Sequence, residues 1–73
     1  MEFGQRLRYF RKKQRLSQRA LGKIIDKPQT TISDWEVGKT LPNIIEALRI
    51  ATALDVSLVE LLEYEDSAKV VGE

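Results

Sequence analysis

Residues 16–39 read LSQRALGKIIDKPQTTISDWEVGK and hold two short amphipathic patterns separated by a break at Ile25-Asp26-Lys27-Pro28. The apolar residues Leu21, Ile24, Ile25, Ile32 and Trp35 fall at helical spacing. Lys27 precedes proline, whose ring pushes it away from helical angles, so a helix boundary is expected there. Pro28 suits the first turn of the next helix, where a missing N–H costs nothing. That helix is expected to end near Val37, with Gly38 in the left-handed conformation just beyond it. The chain is thereby confined to two helices of about two turns joined by a tight turn.

The rest of the sequence extends this pattern. A first helix is expected over about 3–14, with Phe3, Leu7 and Phe10 at helical spacing. Ser17 is a suitable N-cap for the second helix, over 18–25. Thr40-Leu41-Pro42 reads as a loop. Asn43 and Glu46, three apart, form a variant capping box that opens a fourth helix to about Leu54. Its core face is expected to be Ile44, Ala47, Leu48, Ala51 and Leu54. Ser57 and Glu60 form a second box before a fifth helix over about 58–63, with Leu58, Leu61 and Leu62 at apolar spacing. No strand pattern competes, so the fold class is all-α, a compact five-helix bundle with short connections. One domain is expected over 1–64, followed by a short acidic tail over 65–73, either flexible or part of a partner interface.

Composition excludes several functions. The 73 residues include no cysteine and no histidine. Disulfides, thiolate zinc sites and most nucleophile–base pairs lose their usual members. Asp and Glu form no convincing acid–base pair, so no enzyme, metal or cofactor is expected. No apolar run approaches the roughly eighteen residues of a membrane span. The opening MEFGQRLRYF lacks the apolar core of a signal peptide. A soluble cytoplasmic protein is the default expectation.

The net charge of +1 hides a polarised chain. Residues 1–23 carry eight Lys/Arg against one Glu, and residues 24–73 carry four against ten Asp/Glu. A basic third joined to an acidic remainder suits one face to a polyanion. The basic run leads directly into the paired helices. Two short helices at this spacing fit a helix-turn-helix, the motif that lays its second helix in a DNA major groove. Gln29, Thr30, Ser33 and Asp34 are the polar side chains of that second helix. They are short hydrogen-bonding groups suited to base edges. Arg6, Arg8, Arg11, Lys12, Lys13 and Arg15 cannot all face one way on a helix. Trp35 is read as a core residue from its spacing to Ile32, not as a stacking platform.

The LSQ opening, the TIS-x-WE-x-GK stretch from Thr31 to Lys39 and the LDVSLVELL ending from Leu54 to Leu62 resemble the lambda-repressor-like, or XRE-type, helix-turn-helix family. The resemblance covers about residues 3–62. It implies five helices and, usually, a dimeric repressor or regulator. It also implies that Gln18 touches a phosphate and braces Gln29, and that Arg11 of the first helix pairs with Glu36 at the end of the recognition helix. Five residues depart from the family pattern. Gly22 stands where alanine is usual, at a cost of roughly 1 kcal/mol in helix propensity. Asp26 replaces a turn glycine, Lys27 an apolar residue and Pro28 a Ser/Thr cap, so the turn is atypical. Asp34 is an unusual acidic group for a DNA-facing position, suited only to accepting from a cytosine amine.

The expected function is a sequence-specific regulator of double-stranded DNA, a repressor acting as a dimer on a palindromic operator. Gln29 would read adenine, with Thr30, Ser33 and Asp34 reading neighbouring bases. Gln18, Arg19, Lys27, Thr31 and Lys39 would hold the phosphate backbone. Ile45, Val59, Val70 and Val71 lie off the expected core faces and would supply a homodimer interface. An alternative in the same class is the antitoxin of a toxin–antitoxin pair. An alternative from another class is a protein-interaction domain of the same fold, bound to a protein partner and not to DNA.

Overall fold

A computed structural model describes residues 2–62. The helices are α1 (Phe3–Lys13), α2 (Gln18–Ile25), α3 (Gln29–Val37), α4 (Ile44–Leu54) and α5 (Leu58–Leu62). Among the described residues there is no strand, and no helix is long and apolar enough to cross a membrane. Residues 63–73, with Val70, Val71 and the acidic tail, lie outside the described residues.

Local chemistry sets the helix starts. Ser17 Oγ accepts from the Ala20 N–H at 2.9 Å and so satisfies one of the free donors of α2. Asn43 Oδ1 accepts from the Glu46 N–H at 2.7 Å, and Glu46 Oε1 accepts from the Asn43 N–H at 2.8 Å. Ser57 and Glu60 repeat the reciprocal box at the head of α5, at 3.0 and 2.9 Å. Pro28 differs by one position from its expected place. Its ψ of 155° leaves it extended as the N-cap, and α3 begins at Gln29.

The helix ends are less usual. Gly38 closes α3 in the left-handed region, as expected. Asp26 and Asp55 do the same for α2 and α4, with φ of 62° and 59°, and Arg15 follows α1 with φ of 60°. Non-glycine residues meet a steric penalty there of roughly 1–2 kcal/mol. Each is held by backbone bonds that close the turn over the helix end: Leu16 N–H to Arg11 O, Lys27 N–H to Gly22 O and Val56 N–H to Ala51 O. Asp26 thus makes the turn that glycine usually makes.

One core joins all five helices through Leu7, Leu21, Ile25, Ile32, Trp35, Ile50, Ala51, Leu54 and Leu61, with Phe3, Phe10, Leu16, Ala53 and Val56 packed around it. Trp35 is buried within it, as its spacing implied. The face of α4 differs from expectation. Ile44 and Leu48 are 65 % and 49 % exposed, while Ile50 is fully buried. The sequence IIEALRIATAL carries apolar residues around most of the cylinder, so two overlapping stripes fit the helical period. Packing against α2 and α5 selects the stripe Ala47, Ile50, Ala51 and Leu54. Ile24 and Leu62 are likewise exposed, because Leu21 with Ile25 and Leu61 alone fill the inward faces of their short helices.

Two contacts place the paired helices α2 and α3. α3 packs against both α1 and α2. A Cβ at Gly4 would lie 2.3 Å from the Glu36 carbonyl oxygen, so only glycine lets α1 approach the end of α3 this closely. A Cβ at Gly22 would lie 2.4 Å from the Lys27 carbonyl oxygen. Gly22 therefore makes room for the turn itself, a role that the comparison with alanine in helix propensity does not reveal.

Candidate nucleic-acid interface

The inward face of α3 is set by Ile32 and Trp35. On a helix of 3.6 residues per turn, Thr30, Ser33 and Asp34 then fall on the outward side, and Gln29 falls at its edge, about a quarter-turn from the core direction. Gln29 and Thr30 are exposed, and Ser33 and Asp34 are half-buried. The four expected base-reading residues thus share one outward surface at the start of α3. No ion pair among the described residues involves Asp34.

Behind this surface runs a chain of hydrogen bonds. The Arg11 guanidinium donates through Nε and Nη2 to the two carboxylate oxygens of Glu36, the latter at 3.0 Å. Its Nη1 donates to the Leu16 carbonyl at 2.8 Å. Gln18 Nε2 donates to Glu36 Oε1 at 3.0 Å, and Gln29 Nε2 donates to Gln18 Oε1 at 3.1 Å. Both pairs implied by the resemblance are formed. The link between them, Gln18 to Glu36, was not expected. One signal pointed to it: Gln29 and Glu36 are seven apart, two turns along one stripe of α3, so a side chain from α2 can reach both.

Glu36 sits in an unusual electrostatic position. Its side chain is 4 % exposed. Burial acts most strongly and opposes ionisation, but the hydrogen bonds from Arg11 and Gln18 and the charges of Arg11 and Arg8 together outweigh it. The carboxyl is therefore held below its ordinary value and is a firm anion at neutral pH.

The expected phosphate contacts divide. Arg19 and Lys39 are exposed, while Gln18 and Thr31 are half-buried at the starts of α2 and α3. Gln18 Nε2 carries two N–H groups, and one is taken by Glu36. Lys27 is committed elsewhere. Its ammonium lies 2.7 Å from Glu46 Oε2, an ion pair that joins the turn to α4 and competes with any phosphate contact. That hydrogen bond, first among the causes, holds the Glu46 carboxyl below its ordinary value, helped by the bond from Asn43 and by Arg49.

The exposed apolar residues form separate groups. Ile45 lines a shallow groove between α2 and α4 together with Ile24, Leu48 and Ala53. Leu41, Ile44 and Leu62 surround a second groove with Phe3 and Pro42. Val59 is exposed on α5 and lines neither.

Residues 7–61 match a family model described as helix-turn-helix. The chain is 40 % identical over 60 residues to the repressor protein C2 of Salmonella phage P22, a match that spans 82 % of this chain and 28 % of that protein. A crystal structure of the P22 c2 repressor with a synthetic operator superposes with a TM-score of 0.82 at 38 % identity, covering 86 % of this chain and 96 % of that one. The restriction-modification controller protein C.AhdI of Aeromonas hydrophila superposes with a TM-score of 0.78 at 35 % identity, covering 82 % and 87 % of the two chains. With the motif, the five-helix fold and these likenesses in agreement, the chain belongs to the lambda-repressor-like (XRE-type) helix-turn-helix family.

Proposed function

We propose that this chain is a sequence-specific double-stranded DNA-binding transcription regulator, a repressor that lays α3 in the major groove. The observation that carries this reading is Gln29. It stands exposed at the first position of α3, and its amide is held by Gln18. A braced amide at the tip of a helix suits a bidentate contact to adenine N6 and N7. Thr30 offers a methyl to thymine or a hydroxyl to a base, Ser33 reads either, and Asp34 accepts from a cytosine amine. Gln18, Arg19, Thr31 and Lys39 position the phosphate backbone without reading sequence. Lys27 would join them only by releasing Glu46. The likeness to a repressor domain in complex with an operator supports the same reading. It implies an intracellular, cytoplasmic site of action.

The chain acts as a homodimer in this reading. One recognition helix reads only about four or five base pairs, and a two-fold axis doubles that address. Val59 is the leading surface residue for pairing, and the apolar groove of Leu41, Ile44 and Leu62 enlarges the area on offer. Ile45 belongs to a separate groove and would contribute less. Selection of bound duplexes from a random-sequence pool tests the proposal. It should enrich two inverted half-sites with centres about one helical turn apart. A bound pool indistinguishable from the input would refute it.

A further inference from the structure

We propose that Glu36, which does not reach the recognition surface, sets the direction of the Gln29 amide and so selects adenine over guanine at the base that Gln29 reads. This inference rests on the reading that Gln29 meets a base edge. It adds a positioning residue whose effect on sequence preference passes through two other side chains.

Donors and acceptors fix each amide in turn. An ionised carboxylate only accepts hydrogen bonds. Glu36 is nearly enclosed and is held by the Arg11 guanidinium, so it offers Gln18 an acceptor and nothing else. Gln18 must then turn its Nε2 toward Glu36, as it does at 3.0 Å. The reverse orientation would set a carbonyl oxygen against a carboxylate oxygen. With Nε2 fixed on Glu36, Gln18 presents Oε1 to α3. Gln29 can meet that oxygen only with its own Nε2, as it does at 3.1 Å.

One of the two N–H groups of Gln29 is thereby spent. Its Oε1 and its second N–H remain for DNA. Adenine presents an N6 donor and an N7 acceptor in the major groove, which that acceptor and donor match. Guanine presents O6 and N7, both acceptors. Gln29 Oε1 would face guanine O6 without a proton between them. A glutamine free to turn could offer guanine only donors, but this one cannot turn without breaking the bond to Gln18. The acceptor-only character of a buried acid is thus passed along two amides to the base edge.

Glu36→Gln tests the relay, because the new amide keeps the shape yet can present either end to Gln18. The assay is fluorescence-anisotropy titration of duplexes that carry adenine or guanine at the base pair whose preference is lost in Gln29→Ala. Wild type should favour adenine by about tenfold or more, and Glu36→Gln should lower that ratio severalfold. The double substitution Glu36→Gln with Gln18→Glu moves the acceptor-only group one step along. It should restore the adenine preference even if affinity falls on both duplexes. Circular dichroism confirms that each variant is folded.

A wild-type measurement covers the case in which the single variant does not fold. The side-chain amide protons of Gln18 and Gln29 should exchange with solvent more slowly by NMR than those of exposed Gln5. Exchange as fast as Gln5 overturns the relay. So does a folded Glu36→Gln protein with an unchanged adenine-to-guanine ratio. Loss of affinity in Gln29→Ala that is equal on selected and unrelated duplexes would instead refute the base contact itself, which separates the two failures.

Discussion

Replacing Gly22 by alanine pits helix propensity against the path of the turn. Alanine is the residue usual at this position in the family, and it favours an interior helical site by about 1 kcal/mol over glycine. Here its Cβ would lie 2.4 Å from the Lys27 carbonyl oxygen. Carbon and oxygen settle at about 3.3 Å or more, so relief needs a displacement of roughly 0.9 Å. The obstacle is backbone and cannot swing away as a side chain would. It is also tied down, because the N–H groups of Asp26 and Lys27 both bond to the Gly22 carbonyl, the second at 2.8 Å. Overpacking of this kind costs about 1–3 kcal/mol, and a backbone obstacle puts it at the upper end. After the propensity gain, a net loss of about 2 kcal/mol remains. For a domain of this size the midpoint of thermal unfolding should fall by roughly 8–16 °C. A circular-dichroism melt of Gly22→Ala reads this directly. A variant as stable as wild type, or more stable, would show that the turn does not close over Gly22 in this way.

Three other perturbations probe separate parts of the account. Arg11→Gln leaves the Glu36 carboxylate enclosed without its guanidinium partner, and should cost about 3–5 kcal/mol in a denaturant titration; an unchanged midpoint would contradict the pair. Glu36 has a lowered pKa in the fold, so it binds its proton more weakly folded than unfolded. Its contribution to stability is present above the ordinary carboxylate value of about 4.3 and is lost as pH falls through the lower folded value; the acid limb of a stability-against-pH series should be shallower in Glu36→Gln. Val59→Asp places a charge on an exposed apolar site of α5 and should weaken cooperative operator binding while leaving the monomer's melt within about 0.5 kcal/mol of wild type; equal, non-cooperative binding by both proteins would remove Val59 from the interface.

What was legible in the sequence was local. Ser17, Asn43 with Glu46, and Ser57 with Glu60 act on N–H groups three residues away, so their spacing alone announced the starts of α2, α4 and α5. The outward face of α3 was legible because Ile32 and Trp35 leave a single stripe for the core. The inward face of α4 was not, because its sequence is apolar at Ile44, Ile45, Leu48 and Ile50 alike and only the neighbouring helices choose among them. Lys27 looked like a phosphate contact because its partner, Glu46, is nineteen residues away and reaches it only through the packing of α4 on α2. The resemblance supplied Gln18 with Gln29 and Arg11 with Glu36 as separate pairs. Their union into one chain depends on a 3.0 Å contact between α2 and α3.

The central claim is that α3 reads bases through Gln29, and the affinity of Gln29→Ala on selected and unrelated duplexes tests it most directly. Both proteins are titrated against both duplexes at one fixed salt concentration, since phosphate contacts make absolute affinities salt-dependent. The account predicts a loss of about 1–3 kcal/mol on the selected site, preference relaxed at one base pair in each half-site, and unrelated DNA bound as by wild type. An equal loss on both duplexes would show that Gln29 only positions the backbone, and the claim of base readout at the start of α3 would fall.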